Sequence, residues 1–524
     1  MEKQALFISG KKVCIMLQIK NLTVTHKKDM RTLVEDFSFV LNKGDRAVMI
    51  GEEGNGKSTL LKLIYDPALV DSYAEYTGEI VKNHIKAGYL PQELEERNRE
   101  KSIWEFFTEE SDFYNMSPKE LSKISRELGI PADIYYSQQK MGELSGGEKI
   151  KLQMAGILMG NPHILLLDEP SNDIDIRTLE WMEQFMNSSH IPILYISHDE
   201  TLIERTANVI IHLEQINRKT KPRYTVAKMD YKTYMENRAR GLANQERIAR
   251  KEREEAEKQE ERFRRIQQKV ESDQRNISRQ NPHGGKLLKK KMHAVKAMER
   301  RYQREAEDRT EIPETEDAIF IRFQKGTSIP NGKTVLEYSL DRLAVGDRLL
   351  STQIHLTVKG PEKICITGAN GTGKTTLLKK IAATMEGRTD IRAAYMPQNY
   401  EEKMDGSRTP PEFLEKTGDK EEISRIRTYL GSMKYTADEM DHCISQLSGG
   451  QKAKLFFLKM SLDGSNVLLL DEPTRNFSPL SGPVIRKLLA DFEGAVISIS
   501  HDRKYMEEVC DTIYELTDRG LEKK

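Results

Sequence analysis

The chain has 524 residues, 37% of them hydrophobic, and its 82 Lys and Arg balance 82 Asp and Glu. That length suits about three domains of ordinary soluble composition. The longest apolar runs, Ile164 to Leu167 and Val467 to Leu470, are strand-length, against the ~18–20 residues a bilayer span needs, and no signal-peptide pattern opens the chain; both argue against a membrane protein. Cys14, Cys365, Cys443 and Cys510 form no CxxC pair, so free thiols in a reducing cytoplasm are expected. The zero net charge conceals an asymmetry. Residues 238–304 hold 21 basic and 10 acidic side chains, which leaves the remainder at −11. A basic segment between acidic bodies points to one localised polyanion contact.

In chain order, Met16 opens a strand-like run, MLQIKNLTVTH, whereas residues 1–15 show no periodicity. Either Met16 is the initiator or residues 1–15 form a loose extension. Arg46 to Ile50 reads as a buried strand entering Gly51-Glu52-Glu53-Gly54-Asn55-Gly56-Lys57-Ser58, followed by a helical stretch from Thr59 to Leu63. This is the GxxxxGK[ST] pattern in the strand–loop–helix context it requires. Its glycines let backbone N–H groups converge on phosphate oxygens at a helix start, Lys57 neutralises the β- and γ-phosphates, and Ser58 ligates Mg2+.

The pattern recurs as Gly368-Ala369-Asn370-Gly371-Thr372-Gly373-Lys374-Thr375-Thr376 after a strand from Lys363 to Thr367. Four further pairs follow in the same order. They are Tyr89-Leu90-Pro91-Gln92 with Tyr395-Met396-Pro397-Gln398, and Leu144-Ser145-Gly146-Gly147-Glu148 with Leu447-Ser448-Gly449-Gly450-Gln451. Then come Asp168-Glu169-Pro170 with Asp471-Glu472-Pro473, and Ser197-His198-Asp199 with Ser500-His501-Asp502. The last three pairs share one offset, 303 residues, the mark of a duplicated domain. The expected layout is an extension at 1–15, a first domain at 16–237, a linker at 238–308 and a second domain at 309–524.

In the linker, Leu242, Ala249, Ala256, Phe263, Val270 and Ile277 recur every seventh residue, as do Leu288, Val295 and Tyr302. That predicts a helical hairpin with a thin apolar seam, its first helix running from 238 to about 278 and its break at Asn281-Pro282-His283-Gly284-Gly285. Glu and Arg alternate from Arg247 to Lys269, as on a solvated face. From Arg275 to Arg304, by contrast, ten bases face one acid, Glu299, a run that repels itself unless it meets phosphate. Arg279, Lys286, Lys289, Lys290, Lys291, Arg300 and Arg301 are the candidate RNA contacts. His283, Leu287, Leu288 and Met292 are candidates for the tip.

The twice-repeated motifs resemble the ATP-binding cassette superfamily, an α/β fold whose paired cassettes close head to tail around ATP. The resemblance implies that Lys57 works opposite Ser448 in site one and Lys374 opposite Ser145 in site two, each with its signature glycines (Gly146, Gly147, Gly449, Gly450). It implies that Asp168 and Asp471, with Ser58 and Thr375, hold Mg2+, and that Glu169 and Glu472 polarise the attacking water. Gln92 and Gln398 then sense the γ-phosphate, and His198 and His501 steady it. Thr474-Arg475-Asn476-Phe477-Ser478-Pro479 lacks an aspartate corresponding to that of the first copy's Ser171-Asn172-Asp173-Ile174-Asp175, so unequal rates at the two sites are expected. Near each P-loop only His26, in the first copy, offers an aromatic ring for the base, so GTP is an expected alternative to ATP.

Two cassettes joined by a long linker, with no membrane span, are similar to the ABC-F family of ribosome-acting proteins. The separation between Gln loop and signature is 52 residues in the first copy and 49 in the second, which leaves no room for the arm that translation factors carry, and the chain ends without a long tail. These features resemble the antibiotic-resistance branch, of the Vga and Lsa kind. The resemblance implies a cytoplasmic monomer that enters the E site of the bacterial ribosome, meets 23S rRNA near the peptidyl transferase centre, displaces the P-site tRNA, and protects against lincosamides, pleuromutilins and streptogramin A compounds. The alternatives are a housekeeping translation factor, the energising subunit of an efflux transporter, and a DNA-associated cassette protein.

Overall fold

The computed structural model describes residues 7–8, 11–12, 15–82, 85–216, 221–275, 282–307, 323 and 328–524. These fall into two compact units, one joining Met1–Tyr231 to Glu316–Lys524, the other Lys232–Thr315.

The first unit contains one α/β architecture twice. In the first copy five parallel strands run in the order Val209–Ile216, Arg46–Ile50, Ile193–Ile196, Ile164–Asp168, Ala87–Leu90, and Lys221–Ala227 adds an antiparallel edge. The second copy repeats the order with Thr512–Thr517, Lys363–Thr367, Ala495–Ile499, Val467–Asp471 and Ala393–Met396, with Gly520–Lys523 as its antiparallel edge. The apolar runs dictate this arrangement. Ile164–Asp168 and Val467–Asp471 are buried along their whole length, as strands covered on both faces must be, and parallel strands gain that cover from helical crossovers. Each run ends in a carboxylate at the strand's C-terminal edge, where open α/β sheets hold ligands.

An antiparallel layer lies beside each parallel sheet: Ile15–His26 between Thr32–Asn42 and Ala74–Val81 in the first copy, and Thr334–Val345 with Arg348–Lys359 in the second. Burial alternates along Arg348–Lys359, the period of a strand with one face on a core. Leu17, Phe37, Leu61 and Ile211 share one such core, and Leu336, Ile354, Leu378 and Ile497 its counterpart. Within residues 1–14 the described elements are the two-residue strands Phe7–Ile8 and Lys11–Lys12, which pair with each other, and the long strand opens at Ile15. All residues from Gln92 to Leu144 are described, and their longest helix is Pro118–Leu128, 11 residues. The first copy carries no helical arm there.

The second unit is built from the helices Tyr231–Arg275 and Pro282–Glu307. Two expectations need correction. The first helix starts seven residues before position 238, because the expected start followed the charge pattern and nothing in Tyr231–Asn237 breaks a helix. The second starts at Pro282, so Pro282, Gly284 and Gly285 lie inside its first turn and do not form the break. Proline suits the first helical position, where its missing N–H has no partner to lose. The seam forms as expected where it is described: Ala249, Val270 and Val295 are buried, and the Phe263 and Tyr302 rings meet edge to face at 5.9 Å. Ile277 lies outside the described residues, as does the side chain of Leu288. Arg250–Glu246 and Arg264–Glu260 pair at i,i+4 spacing, the solvated face expected of that stretch. Among the described residues no helix is long and apolar enough to cross a membrane.

Candidate active sites at the cassette interface

Each P-loop wraps its own lysine. Lys57 Nζ donates to the carbonyls of Gly51 (2.8 Å) and Glu52 (2.9 Å), and Lys374 Nζ to those of Gly368 and Ala369, both at 2.9 Å. Gly51 sits at φ 145°, and a Cβ there would lie 2.2 Å from the Leu213 carbonyl oxygen; only glycine fits. Burial draws both ammonium groups below the usual lysine range, opposed chiefly by Glu169 at Lys57 and by Glu472 at Lys374. A polyphosphate beside them supplies the charge that restores the ammonium form.

Ser58 Oγ donates to Asp168 Oδ1 at 2.9 Å, and the Thr375 hydroxyl is bonded to Asp471 in the same way. Asp471 Oδ2 is buried with no hydrogen-bond partner. A hydroxyl, a carboxylate and a spare oxygen suit Mg2+, which keeps waters and takes phosphate oxygens as further ligands. Among the described residues no three His, Cys, Asp or Glu side chains form a self-sufficient metal site. Thr59 and Thr376 follow in the first helical turns.

Glu169 and Glu472 both adopt φ 53°, a strained value for a non-glycine residue and one that clusters at functional sites. The two differ electrostatically. His198 Nε2 lies 2.6 Å from Glu169 Oε1; burial works against the Glu169 carboxylate, but His198, Lys57 and Arg475 outweigh it and hold its pKa low. In the second copy the His501 ring stays 3.9 Å from Glu472. There burial, aided by the Asp471 charge, pushes Glu472 up to about 8, and burial with Lys374 pulls His501 down to about 4.

The motifs converge head to tail between the cassettes. A cavity of about 1380 Å³ brings Lys374, Thr375 and Gln398 of the second copy together with Ser145, Gly146 and Asp173 of the first. It also contains Gly371, Gly373, Glu472 and His501 and reaches Gln92 and His198. The contact is close: Asn370 Nδ2 of the second copy donates to the Asp173 carbonyl of the first at 2.6 Å, and a Cβ on Gly146 would lie 3.5 Å from that same nitrogen. On the other side Gly450 N donates to Glu53 Oε2 at 2.7 Å, and His198 Nδ1 lies 2.9 Å from the Phe477 carbonyl. There Glu52, Glu53, Ser448 and Gly450 enclose only about 30 Å³. Ser145 and Ser448 cap the signature helices Gly146–Met159 and Gly449–Leu462, so Gly147 and Gly449 lie in first helical turns. Gln451 completes its capping box through Oε1 where Glu148 uses a carboxylate.

The Asn55 side chain is buried and donates to the Leu213 carbonyl at 3.0 Å, so it shapes the loop from beneath. Asp175 caps the helix Ile176–Ser188 and acts on Lys374 and His501, whereas Ser478, in its place in the second copy, bonds to Ser481.

Several residues were missed. Asp173 accepts from Asn370 Nδ2 (2.6 Å), Gln398 Nε2 (3.3 Å) and Arg475 (2.8 Å), tying both sites together. Arg31 donates to the Gly54 carbonyl at 2.7 Å and Arg348 lines the large cavity. Each stands 20 residues before its first P-loop glycine (51−31 and 368−348). That matched spacing is the signal the sequence offers for a planar cation ahead of each P-loop, where an aromatic ring is lacking. His26 instead pairs with Asp29 at 2.8 Å. In the second unit Lys289, Lys290, Lys291, Arg300 and Arg301 are exposed and Met292 is half-buried. Arg279 lies outside the described residues, as do the side chains of His283, Lys286, Leu287 and Leu288.

A family model described as ABC transporter matches residues 34–172 and 351–475, half of the chain. The chain belongs to this family. It is an ATPase of two tandem cassettes, and its long relatives support the F grouping. It is 26% identical to ABC transporter F family member 5 of Arabidopsis thaliana, over 94% of this chain and 74% of that one. It is 27% identical to the ribosome protection protein VmlR of Bacillus subtilis, over 97% of this chain and 88% of that one. A solved archaeal ribosome recycling factor, aABCE1 in complex with a stalk protein, matches the fold with TM-score 0.58 and 17% identity, over 96% of this chain and 89% of that one.

Proposed function

We propose that this cassette ATPase is a cytoplasmic ribosome-protection protein. The observation that carries the reading is the exposed basic face of the linker helix at Lys289–Lys291 and Arg300–Arg301, in a twin-cassette chain without an arm. Its match to VmlR across nearly the whole length supports it.

In each site the P-loop lysine neutralises the β- and γ-phosphates while the signature serine and glycines close from the other cassette. Glu169 and Glu472 orient the attacking water and draw on its proton; His198 holds Glu169 in line through a 2.6 Å contact. Ser58 with Asp168, and Thr375 with Asp471, would hold Mg2+, which would supply positive charge beside the phosphates. Arg31 and Arg348 take the base, and a cationic plane discriminates weakly, so GTP serves as a second substrate. ATP closes the cassettes; the closed form binds the bacterial ribosome at the E site, and the linker reaches the P-site tRNA and 23S rRNA near the peptidyl transferase centre. Binding does the work on the ribosome and hydrolysis resets it, since a ligand shifts an equilibrium only by its differential affinity.

The test is bacterial cell-free translation with purified protein and ATP, titrated with lincomycin, tiamulin, virginiamycin M, erythromycin and chloramphenicol. Rescue from the first three is expected. Binding to ribosomes without rescue from any drug makes the chain a housekeeping translation factor.

A further inference from the structure

The two P-loops differ at one position that touches the opposite cassette. Counted from the first glycine, Glu53 stands where the second copy has Asn370. Asn370 Nδ2 donates to the Asp173 carbonyl and leaves the Ser145 side of its cavity open. Glu53 instead reaches the signature helix Gly449–Leu462 and accepts the Gly450 N–H at 2.7 Å. The first N–H groups of a helix favour an anion, and in a head-to-tail site they face the terminal phosphate of a triphosphate.

The residue across the gap changes in step. Glu148 carries a carboxylate at the start of the first signature helix, where it accepts from Ser145 N and Oγ; Gln451, in the same place on the second, is neutral. Each interface thus keeps one acid at the helix start, from the cap in site two and from the P-loop in site one. Glu52 adds a further carboxylate beside Lys57, with one oxygen buried and unpartnered. Only about 30 Å³ stays open around Glu53 and Gly450, whereas Asn370, Ser145 and Gly146 line a cavity of about 1380 Å³ that also reaches Gln92 and His198.

We propose that Glu53 is the specificity-determining residue of site one: its carboxylate takes the terminal-phosphate position on the second signature helix, so that site one discriminates against nucleoside triphosphate and site two is the ATP sensor. This rests on the pairing of sites proposed above. The diphosphate, which lacks the competing group, is admitted to both sites.

The experiment titrates the full chain with fluorescent mant-ATP and mant-ADP. Two mant-ATP phases at least about tenfold apart are expected, the order of one carboxylate–phosphate repulsion in a partly wet site, with mant-ADP phases closer together. Glu53→Asn, the residue of the second copy, and Glu53→Gln, which keeps an acceptor without the charge, both merge the mant-ATP phases and leave mant-ADP in place. Lys57→Ala and Lys374→Ala assign the phases. If both abolish the same phase, the site pairing fails and this inference with it. If they abolish different phases but the Glu53 variants leave the separation unchanged, or if the parent shows a single mant-ATP phase, the pairing stands and the role of Glu53 is overturned.

Discussion

Arg486 offers the sharpest test of what holds the cassettes together. They meet along a band of opposite charge. The first contributes Glu183 from the helix Ile176–Ser188, with Glu200 and Glu204 from Glu200–Thr206; the second contributes Arg486 from Gly482–Ala490, with Arg503 and Lys504 from Arg503–Val509. The Arg486 side chain is 4% exposed, 2.9 Å from Glu200 across the interface and 2.7 Å from Glu508 of its own cassette. Arg486→Met keeps the stem's packing and removes the charge. Stranding one member of a buried pair costs ~3–5 kcal/mol. Lys504 still lies 3.1 Å from Glu200, and Glu508 is half exposed, so the cost falls to about 2–3 kcal/mol. That is about 30- to 150-fold in the closing equilibrium. Single-molecule energy transfer between dyes on unnatural amino acids at the exposed Tyr76 and Tyr429 reads it as a rise in the ATP concentration for half-closure. Glu200→Gln and the double variant complete a cycle with an expected coupling of about 1 kcal/mol or more. An unmoved midpoint, or a coupling within the ~0.3–0.5 kcal/mol seen for independent sites, refutes the reasoning.

Three further outcomes are expected. Burial pushes the Asp199 carboxyl up to about 6, with Arg503 opposing; a raised carboxyl pKa means the folded state binds more protons, so its stability falls as pH rises from the ordinary value through 6. Asp199→Asn removes that cost while still capping its helix, and thermal unfolding should show the variant gaining about 1 kcal/mol more on the parent at pH 7 than at pH 5; a pH-independent gap contradicts this. Glu169→Gln with Glu472→Gln should retain ATP binding and hold the protein on ribosomes in ATP, measured by co-sedimentation; release as fast as the parent's breaks the proposed cycle. Replacing Lys289, Lys290 and Lys291 with Gln should weaken ribosome binding and reduce the slope of log K against log salt by about one per lysine, whereas an unchanged slope places the contact elsewhere.

Much of the chemistry was legible because it is written in short, local patterns. Gly51–Ser58 and Gly368–Thr375 need a strand before and a helix after, and Arg46–Ile50 and Lys363–Thr367 supply the strands. The uninterrupted apolar runs ending at Asp168 and Asp471 announce buried parallel strands, and the constant offset announces two copies. The heptad of Phe263, Val270 and Val295 likewise carried the hairpin seam, because helical periodicity is local too.

What the sequence left open are relations between residues hundreds of positions apart. The Asn55 side chain shapes its P-loop from beneath through the Leu213 carbonyl, 158 residues away. The exchange of Glu148 for Gln451 gains a counterpart only in Glu53, 397 residues from Gly450, which reaches the same helix start. Asp173 gathers three donors from the other copy, Asn370, Gln398 and Arg475, on one carboxylate and its carbonyl. The motifs by themselves determined that there are two phosphate-binding engines, because a P-loop's geometry is built from consecutive residues. The segment from Thr474 to Pro479 already set the copies apart in sequence; how their carboxylates differ was decided only in the tertiary structure, where burial raises both but His198 at 2.6 Å helps hold Glu169 low while His501 stays 3.9 Å from Glu472, and where each site is completed by the other half of the chain.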